Sequence, residues 1–292
     1  MSRNGLVSSF VRASLGALVL SFAASPHASA QIIGPGFDGC GIMVEGVECP
    51  LFLADSGGLF ILLGVPGVQV GDRLQVTGMI DPNCISFCQQ GGGCLTASSF
   101  GECETGTRSC AGDGGDQAGC TDCPCGNNAP QGSPGGCLNG ASGSAELIGS
   151  GIDSVFLDTL RFEVRGGNPG TFGVLISADN LLPQNPMNPC PAGSGVQTIS
   201  ADGLRCVGGN VLRHGARAMD AAGDIGLTNA GWGGNDPPAQ GLIGQYGFSA
   251  GQTRSWQVFY REQAGLVCQS GQNTTNAVST TFSSLVVGGL PF

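Results

Sequence analysis

The chain has 292 residues, 11 basic against 21 acidic, a net charge of −10, 53 glycines and 14 cysteines. None of the basic residues is lysine, and so acidic a chain offers no basic face to nucleic acid or to an anionic membrane surface. Only 11% of residues are charged while 41% are apolar, which argues against disorder and for short strands joined by tight glycine turns.

Residues 1–30 divide into the zones of a signal peptide. Arg3 and Arg12 supply the positive charge, Ala13 to Ala24 the apolar stretch, and Ala28-Ser29-Ala30 the small-residue cleavage pattern. The apolar stretch falls short of the roughly 20 residues of a membrane span. The mature chain is therefore expected to begin at Gln31, to be secreted or periplasmic, and to make no stable membrane insertion. Every cysteine lies beyond that point: Cys40, Cys49, Cys84, Cys88, Cys94, Cys103, Cys110, Cys120, Cys123, Cys125, Cys137, Cys190, Cys206 and Cys268. An even number in an exported chain reads as a disulfide framework, because the cytosolic thiol pool is left behind. His27 leaves with the leader, so His214 is the single histidine of the mature chain. Histidine is the usual general base and the commonest metal ligand, so this count weighs against an enzyme.

Residues 31–103 are expected to form a small β-barrel domain. Leu59 to Leu63 is a continuous apolar run suited to a buried strand. Leu74 and Val76 alternate with Arg73, Gln75 and Thr77 after a Gly71-Asp72 turn, the period of a half-buried strand. The stretch Val70-Gly71-Asp72-Arg73-Leu74-Gln75-Val76-Thr77-Gly78 resembles the strand of small bacterial OB-fold barrels. The wider segment from Gly46-Val47-Glu48-Cys49 to Cys94 is similar to cysteine-bearing OB-like modules of secreted bacterial proteins. Such barrels bind oligonucleotides or oligosaccharides, and the acidic charge speaks against the former.

Residues 104–140 are dense in Gly, Asp and Cys with almost no large apolar residue. Such a segment cannot bury a core of its own and is expected to be an irregular linker stapled by disulfides. Cys120-Thr121-Asp122-Cys123-Pro124-Cys125 contains a C-x-x-C, and Cys84, Cys88 and Cys94 form a second tight group. Four thiolates at such spacing suit zinc, and a low-pKa C-x-x-C suits redox work. Acidic neighbours and the lack of a βαβ pattern favour structural disulfides instead. Asp113, Asp116 and Asp122 are hard oxygen ligands that suit calcium on a flexible loop, against the commoner reading of turn-capping carboxylates.

Residues 141–292 read as a β-sandwich. Leu160, Phe162 and Val164 alternate with Arg161, Glu163 and Arg165. Trp256, Val258 and Tyr260 alternate with Gln257, Phe259 and Arg261, and Thr274 to Val287 closes the domain. Four motifs occur in order: Cys123-Pro124-Cys125-Gly126-Asn127, Gly135-Gly136-Cys137-Leu138-Asn139, Asp202-Gly203-Leu204-Arg205-Cys206 and Trp256-Gln257-Val258-Phe259-Tyr260-Arg261. Together, over about 120–285, they resemble a Gly/Cys-rich module of uncharacterised secreted bacterial proteins. Members of that group carry Asp-Pro after the Tyr-Arg, where this chain has Glu262-Gln263. The resemblance implies an architecture and no reaction.

In Val211 to Arg217, a regular strand would put His214 on one face with Leu212 and Ala216, as a core histidine. Arg213 and Arg217 would share the other face and could grip a carboxylate or sulfate ligand. Trp232, in a loop between Gly231 and Gly233, is a candidate for stacking on a sugar ring, against a folded-back lid.

The fold expected is thus all-β: an OB-like barrel, a stapled linker, then a sandwich. The function expected is a secreted, disulfide-rich, non-catalytic extracellular or cell-envelope protein with a structural or ligand-binding role. Extracellular glycan or envelope components are the expected partners, with no nucleic acid and no cofactor beyond the calcium candidate. The alternatives are a carbohydrate-active hydrolase using carboxylates and a glycan- or calcium-dependent adhesin.

Overall fold

The computed structural model describes residues 35–85, 88, 90–114, 120–141, 143–185, 187–233, 241–262 and 270–284. The expected signal peptide lies outside them. The protein is all-β, as its alternating patterns require, and the described part of 34–292 forms one compact unit. Among the described residues no helix is long and apolar enough to cross a membrane.

Five strands open the described part of the chain: β1 (Gly36–Val44), β2 (Leu51–Ala54), β3 (Leu59–Leu63), β4 (Arg73–Asp81) and β5 (Cys94–Glu102). They close into a barrel in the order β1-β2-β3-β5-β4, with β3 and β5 parallel and the other pairs antiparallel. On β4 the predicted period of two is observed: Leu74, Val76 and Gly78 are buried while Gln75 and Met79 are exposed. The continuous apolar run of β3 is not fully buried. Only Ile61 points wholly inward and Leu63 is 42% exposed, because a barrel wall has one wet face whatever its sequence. So small a core is cross-linked by Cys40–Cys103, Cys49–Cys88 and Cys84–Cys94.

The chain continues through β6 (Thr107–Ser109), β7 (Glu146–Ser150), β8 (Arg161–Arg165), β9 (Phe172–Ala178), β10 (Asn180–Leu181), β11 (Val207–Gly208), β12 (Leu212–Ala218), β13 (Trp232–Gly233), the short helix α1 (Leu242–Tyr246), β14 (Thr253–Arg261) and β15 (Gln272–Thr281). A five-stranded sheet, β12-β9-β14-β15-β6, faces a three-stranded sheet, β13-β8-β7. Between them lie Leu147, Phe162 and Val164 from the small sheet and Leu175, Trp256, Val258, Tyr260 and Val278 from the large one. All are 2% exposed or less, and the Phe162 and Trp256 rings meet at 4.7 Å. Asn276 of β15 ties the two layers with a side chain that imitates a strand. Its Oδ1 accepts from Leu147 N at 2.7 Å and its Nδ2 donates to Leu147 O at 3.3 Å.

The large sheet is buried on its other face as well. Ile176, Ala178 and Ala277 pack there against Leu204, Val207 and the disulfides Cys110–Cys206 and Cys123–Cys137. The segment read as a linker is therefore a covering layer: β6 extends the sheet edge, and the loops after it lie on the sheet. Lacking large apolar side chains, that layer packs with cystines and with bare backbone. A Cβ on Gly136 would stand 2.2 Å from Thr274 O of β15, so the chain approaches this closely only where the side chain is a hydrogen. Gln257 of β14 shows how a polar side chain beneath this layer is satisfied. Gln257, fully buried, donates to Leu204 O and Thr275 O, both at 2.8 Å, and accepts from Cys206 N at 2.9 Å.

Candidate functional site

The cysteine clusters dissolve into separate cross-links. Cys120 pairs with Cys190 and Cys123 with Cys137, so the C-x-x-C never closes on itself. Cys84 and Cys88 likewise have different partners. Cys125 is disulfide-bonded too, while Cys268 lies outside the described residues. Peptide mapping without reductant should recover a Cys120–Cys190 link. A Cys120–Cys123 link would contradict this framework.

Of the calcium candidates, Asp113 is 5% exposed and accepts from Gly132 N at 3.1 Å, and Asp122 accepts from Asn128 Nδ2 at 3.1 Å. Both brace turns. Asp116 lies outside the described residues. Among those, no group of three or more His, Cys, Asp or Glu side chains could hold a metal ion.

The arginine pair of β12 does not share a face. The strand bulges between Arg213 and Ala216, where Gly215 takes a left-handed φ of 88°. That extra residue puts Arg213 opposite Ile176 and Arg217 opposite Gly173, positions of opposite parity on β9. Arg213 and Arg217 therefore point to opposite sides, and Arg217 Nε is spent on Gly231 O at 2.7 Å. His214 stays with Leu212, but Ala216 changes sides. The imidazole is a core group, 7% exposed, wedged between Tyr246 at 4.2 Å and Trp256 at 4.9 Å. Its Nε2 meets Ser177 Oγ at 2.8 Å, and Arg254 donates to the same oxygen at 3.1 Å. Burial, then the Arg254 cation, hold His214 down at about 4. Ser177 is fully buried, so this serine–histidine contact is closed to substrate.

Trp232 is not a stacking platform. It lies on β13, 1% exposed, with its indole in the sandwich core and Nε1 donating to Gly215 O at 3.1 Å. The glycines on either side let the backbone fold this large apolar side chain inward, where its burial is worth most.

The four ordered motifs converge on one buried polar cluster that no single segment announces. Asn127 donates to Leu138 O at 2.8 Å and to Asp202 O at 3.0 Å. Glu262 accepts from Asn273 Nδ2 at 2.9 Å and Gly140 N at 3.2 Å, and shares a hydrogen bond with the Asp202 carboxyl. Burial pushes Glu262 above the usual carboxylate range, and the neighbouring Asp202 adds to the rise. Two carboxyls can bond to each other only through a retained proton. With Asp202 1% and Glu262 8% exposed, the pair clasps loops together and is sealed from any polymer. Asn273, of the sequon Asn273-Thr274-Thr275, is fully buried beside it.

The open site lies where the barrel meets the sandwich. A cleft of about 790 Å³ runs between the turn before β4, the end of β5, β8 and the loop from Gly226 to Gly233. Phe100, 46% exposed, and Val70, 45% exposed, supply its apolar surface. Arg161 is held in the cleft from two sides: Nε donates to Ser150 Oγ at 2.8 Å and NH2 pairs with Glu102 of the barrel. Arg73 is gripped by Asp55 through its two terminal guanidinium nitrogens, at 3.0 and 2.5 Å. Glu163, expected to face outward on β8, is 5% exposed because the chain at Gly226 lies against it, and it pairs with Arg165 at 2.6 Å. The alternation of β8 did place Arg161 outside. Nothing in it could reveal that Glu102, 59 residues earlier, would meet it. Phe100, in a run of small residues, carried no periodic signal.

Comparison with protein-family models, with curated proteins and with solved structures returned no match. The geometry alone therefore carries the functional reading.

Proposed function

We propose that this protein is an exported, non-catalytic binding module whose ligand, an extracellular glycan or cell-envelope polymer, lies in the cleft between barrel and sandwich. The observation that carries the reading is Phe100, an exposed ring standing in a preorganised polar groove beside the Arg161–Glu102 pair. An aromatic face with fixed donors and acceptors around it is the equipment for holding a sugar ring. Phe100 takes the role first considered for Trp232. The barrel supports the reading as an OB-like module through its strand order and the parallel β3–β5 pair, and the resemblance to a Gly/Cys-rich secreted module agrees with export. Disulfides such as Cys40–Cys103 in the barrel and Cys110–Cys206 in the sandwich keep such a groove rigid outside the cell.

The test is co-sedimentation of the mature protein with purified peptidoglycan and with insoluble polysaccharides. Phe100→Ala is expected to weaken binding about tenfold, the scale of one lost aromatic contact, with an unchanged melting temperature. Binding indifferent to Phe100→Ala would rule this cleft out.

A hydrolase remains the second reading because Asp72, Glu102 and Glu163 also line the cleft. Two of the three are already committed to arginines, which leaves no obvious acid–base pair. Release of reducing ends from the same polymers, abolished by Glu102→Gln, would establish it in place of simple binding.

A further inference from the structure

A second cleft, of about 680 Å³, opens on the outer face of the large sheet, beyond the edge of the stapled layer. Its floor is a row of hydroxyls. Ser255 Oγ and Ser279 Oγ lie 2.9 Å apart across β14 and β15, and one step along, Thr253 Oγ1 and Thr281 Oγ1 lie 2.8 Å apart. Each pair spends one hydrogen internally and keeps one O–H and free lone pairs for something above it. Two such pairs on one sheet face repeat at roughly 7 Å, two residues of strand rise.

The wall is formed by described residues between Asp179 and Ala192, amides such as Asn180, Gln184, Asn185 and Asn188 among them. In Asn185 and Asn188 the amide oxygens are taken by the turn N–H groups of Met187 and Cys190, both at 2.9 Å. These side chains keep both N–H donors and one oxygen lone pair each, while Gln184 is exposed with both ends of its amide available. The lining includes one carboxylate, Asp179, whose Oδ1 accepts from Asn210 N at 2.8 Å, and no cation. Such a surface has nothing to attract an anion and little to hold a cation. Leu181, Pro183 and Pro191 add small apolar faces suited to C–H groups.

The wall is also held in place before any ligand arrives. Cys190 is tied to Cys120, and Gly193 N and Gly195 N both donate to Leu182 O at 2.9 Å. Leu182 N in turn donates to Cys206 O at 2.8 Å. Preorganised donors cost less to order on binding.

We propose that this cleft is a second binding site, separate from the one between barrel and sandwich, and that it takes a neutral polyhydroxylated ligand, a saccharide chain. Each hydroxyl of the floor can both donate and accept, which matches a partner made of hydroxyls and not one made of charges.

The experiment is titration calorimetry of the full mature protein with maltohexaose, cellohexaose and chitohexaose. Thr253→Val removes a floor hydroxyl at constant volume, and Gln184→Ala removes an exposed wall amide. Neither touches the core, and melting temperatures check folding. The expected result is binding of at least one hexasaccharide, weakened about tenfold in the double variant and unchanged by Phe100→Ala. No heat with any of the three at about 5 mM would overturn the proposal, and so would a double variant that binds like the parent. Loss in Phe100→Ala with the double variant intact would assign the saccharide to the other cleft, overturning this inference while supporting the first.

Discussion

Replacing Cys110 and Cys206 together by alanine is expected to lower the unfolding free energy by about 4 kcal/mol. The two are 96 residues apart, and a loop of that length releases roughly 4–5 kcal/mol of chain entropy when it is cut in the unfolded state. The cystine is also core: Cys110 is 4% exposed and Cys206 is fully buried, against Ile176, Ala178 and Ala277. Its removal leaves a void under the stapled layer and loosens the hold of Gln257 on Cys206 N. The same layer supports the amide wall of the second cleft, since Leu182 N bonds to Cys206 O. Urea unfolding of the oxidised protein and the double variant measures the difference. A loss below about 1 kcal/mol would show that the layer is held by its hydrogen bonds and not by the cross-link.

The second expectation concerns acid. His214 has its folded value held down at about 4, against 6.5 when unfolded, so the unfolded chain binds the extra proton first as pH falls. Its contribution to stability is complete above about pH 6.5 and disappears as pH drops toward 4. At full weight the contribution is about 3 kcal/mol. The groups facing the imidazole give a protonated ring no relief. Arg254 of β14 shares Ser177 Oγ with it, β9 supplies that serine, and α1 brings only Tyr246. Asp179, the acid near this site, acts on Arg254. Two other groups work the opposite way. Asp153 and Glu262 have raised folded values, chiefly through burial, so each adds stability as pH falls through that value. The parent protein alone therefore shows a blunted acid response, and the informative quantity is its difference from His214→Gln. That difference should shrink by about 3 kcal/mol between pH 7 and pH 4. A difference constant with pH would mean that His214 is not buried as a neutral ring.

Much of the fold was legible in the strands themselves. Leu74 and Val76, Phe162 and Val164, and Trp256, Val258 and Tyr260 all turn inward as their period of two requires, because alternation is a property of a single strand. The failures come where a neighbour decides. Glu163 obeys the same alternation as Arg161 and Arg165, yet the chain at Gly226 covers it. Leu59 to Leu63 reads as a buried run and is half wet, because closure of the barrel gives every strand an outer face. Gln257, polar and alternating with core residues, reads as solvent-facing and is fully buried beneath the cystine layer.

The candidate sites diverge for the same reason. Arg213 and Arg217 are four residues apart and should share a face, but one bulged residue at Gly215 separates them. Trp232 reads as a loop aromatic, folded back as a lid or open for stacking, and the sandwich core takes it in on β13.

What composition and pattern determined alone are the properties that sum over residues or repeat locally: the acidic net charge, the all-β class, the cross-linking expected of fourteen cysteines. Only the tertiary structure decided which cysteines pair, that the glycine-rich segment is a layer and not a spacer, and where a ligand can enter. Those depend on contacts between residues far apart in the chain, as between Glu102 and Arg161 or Asp202 and Glu262. No local pattern encodes such a contact, because its energy exists only once folding has brought both partners together.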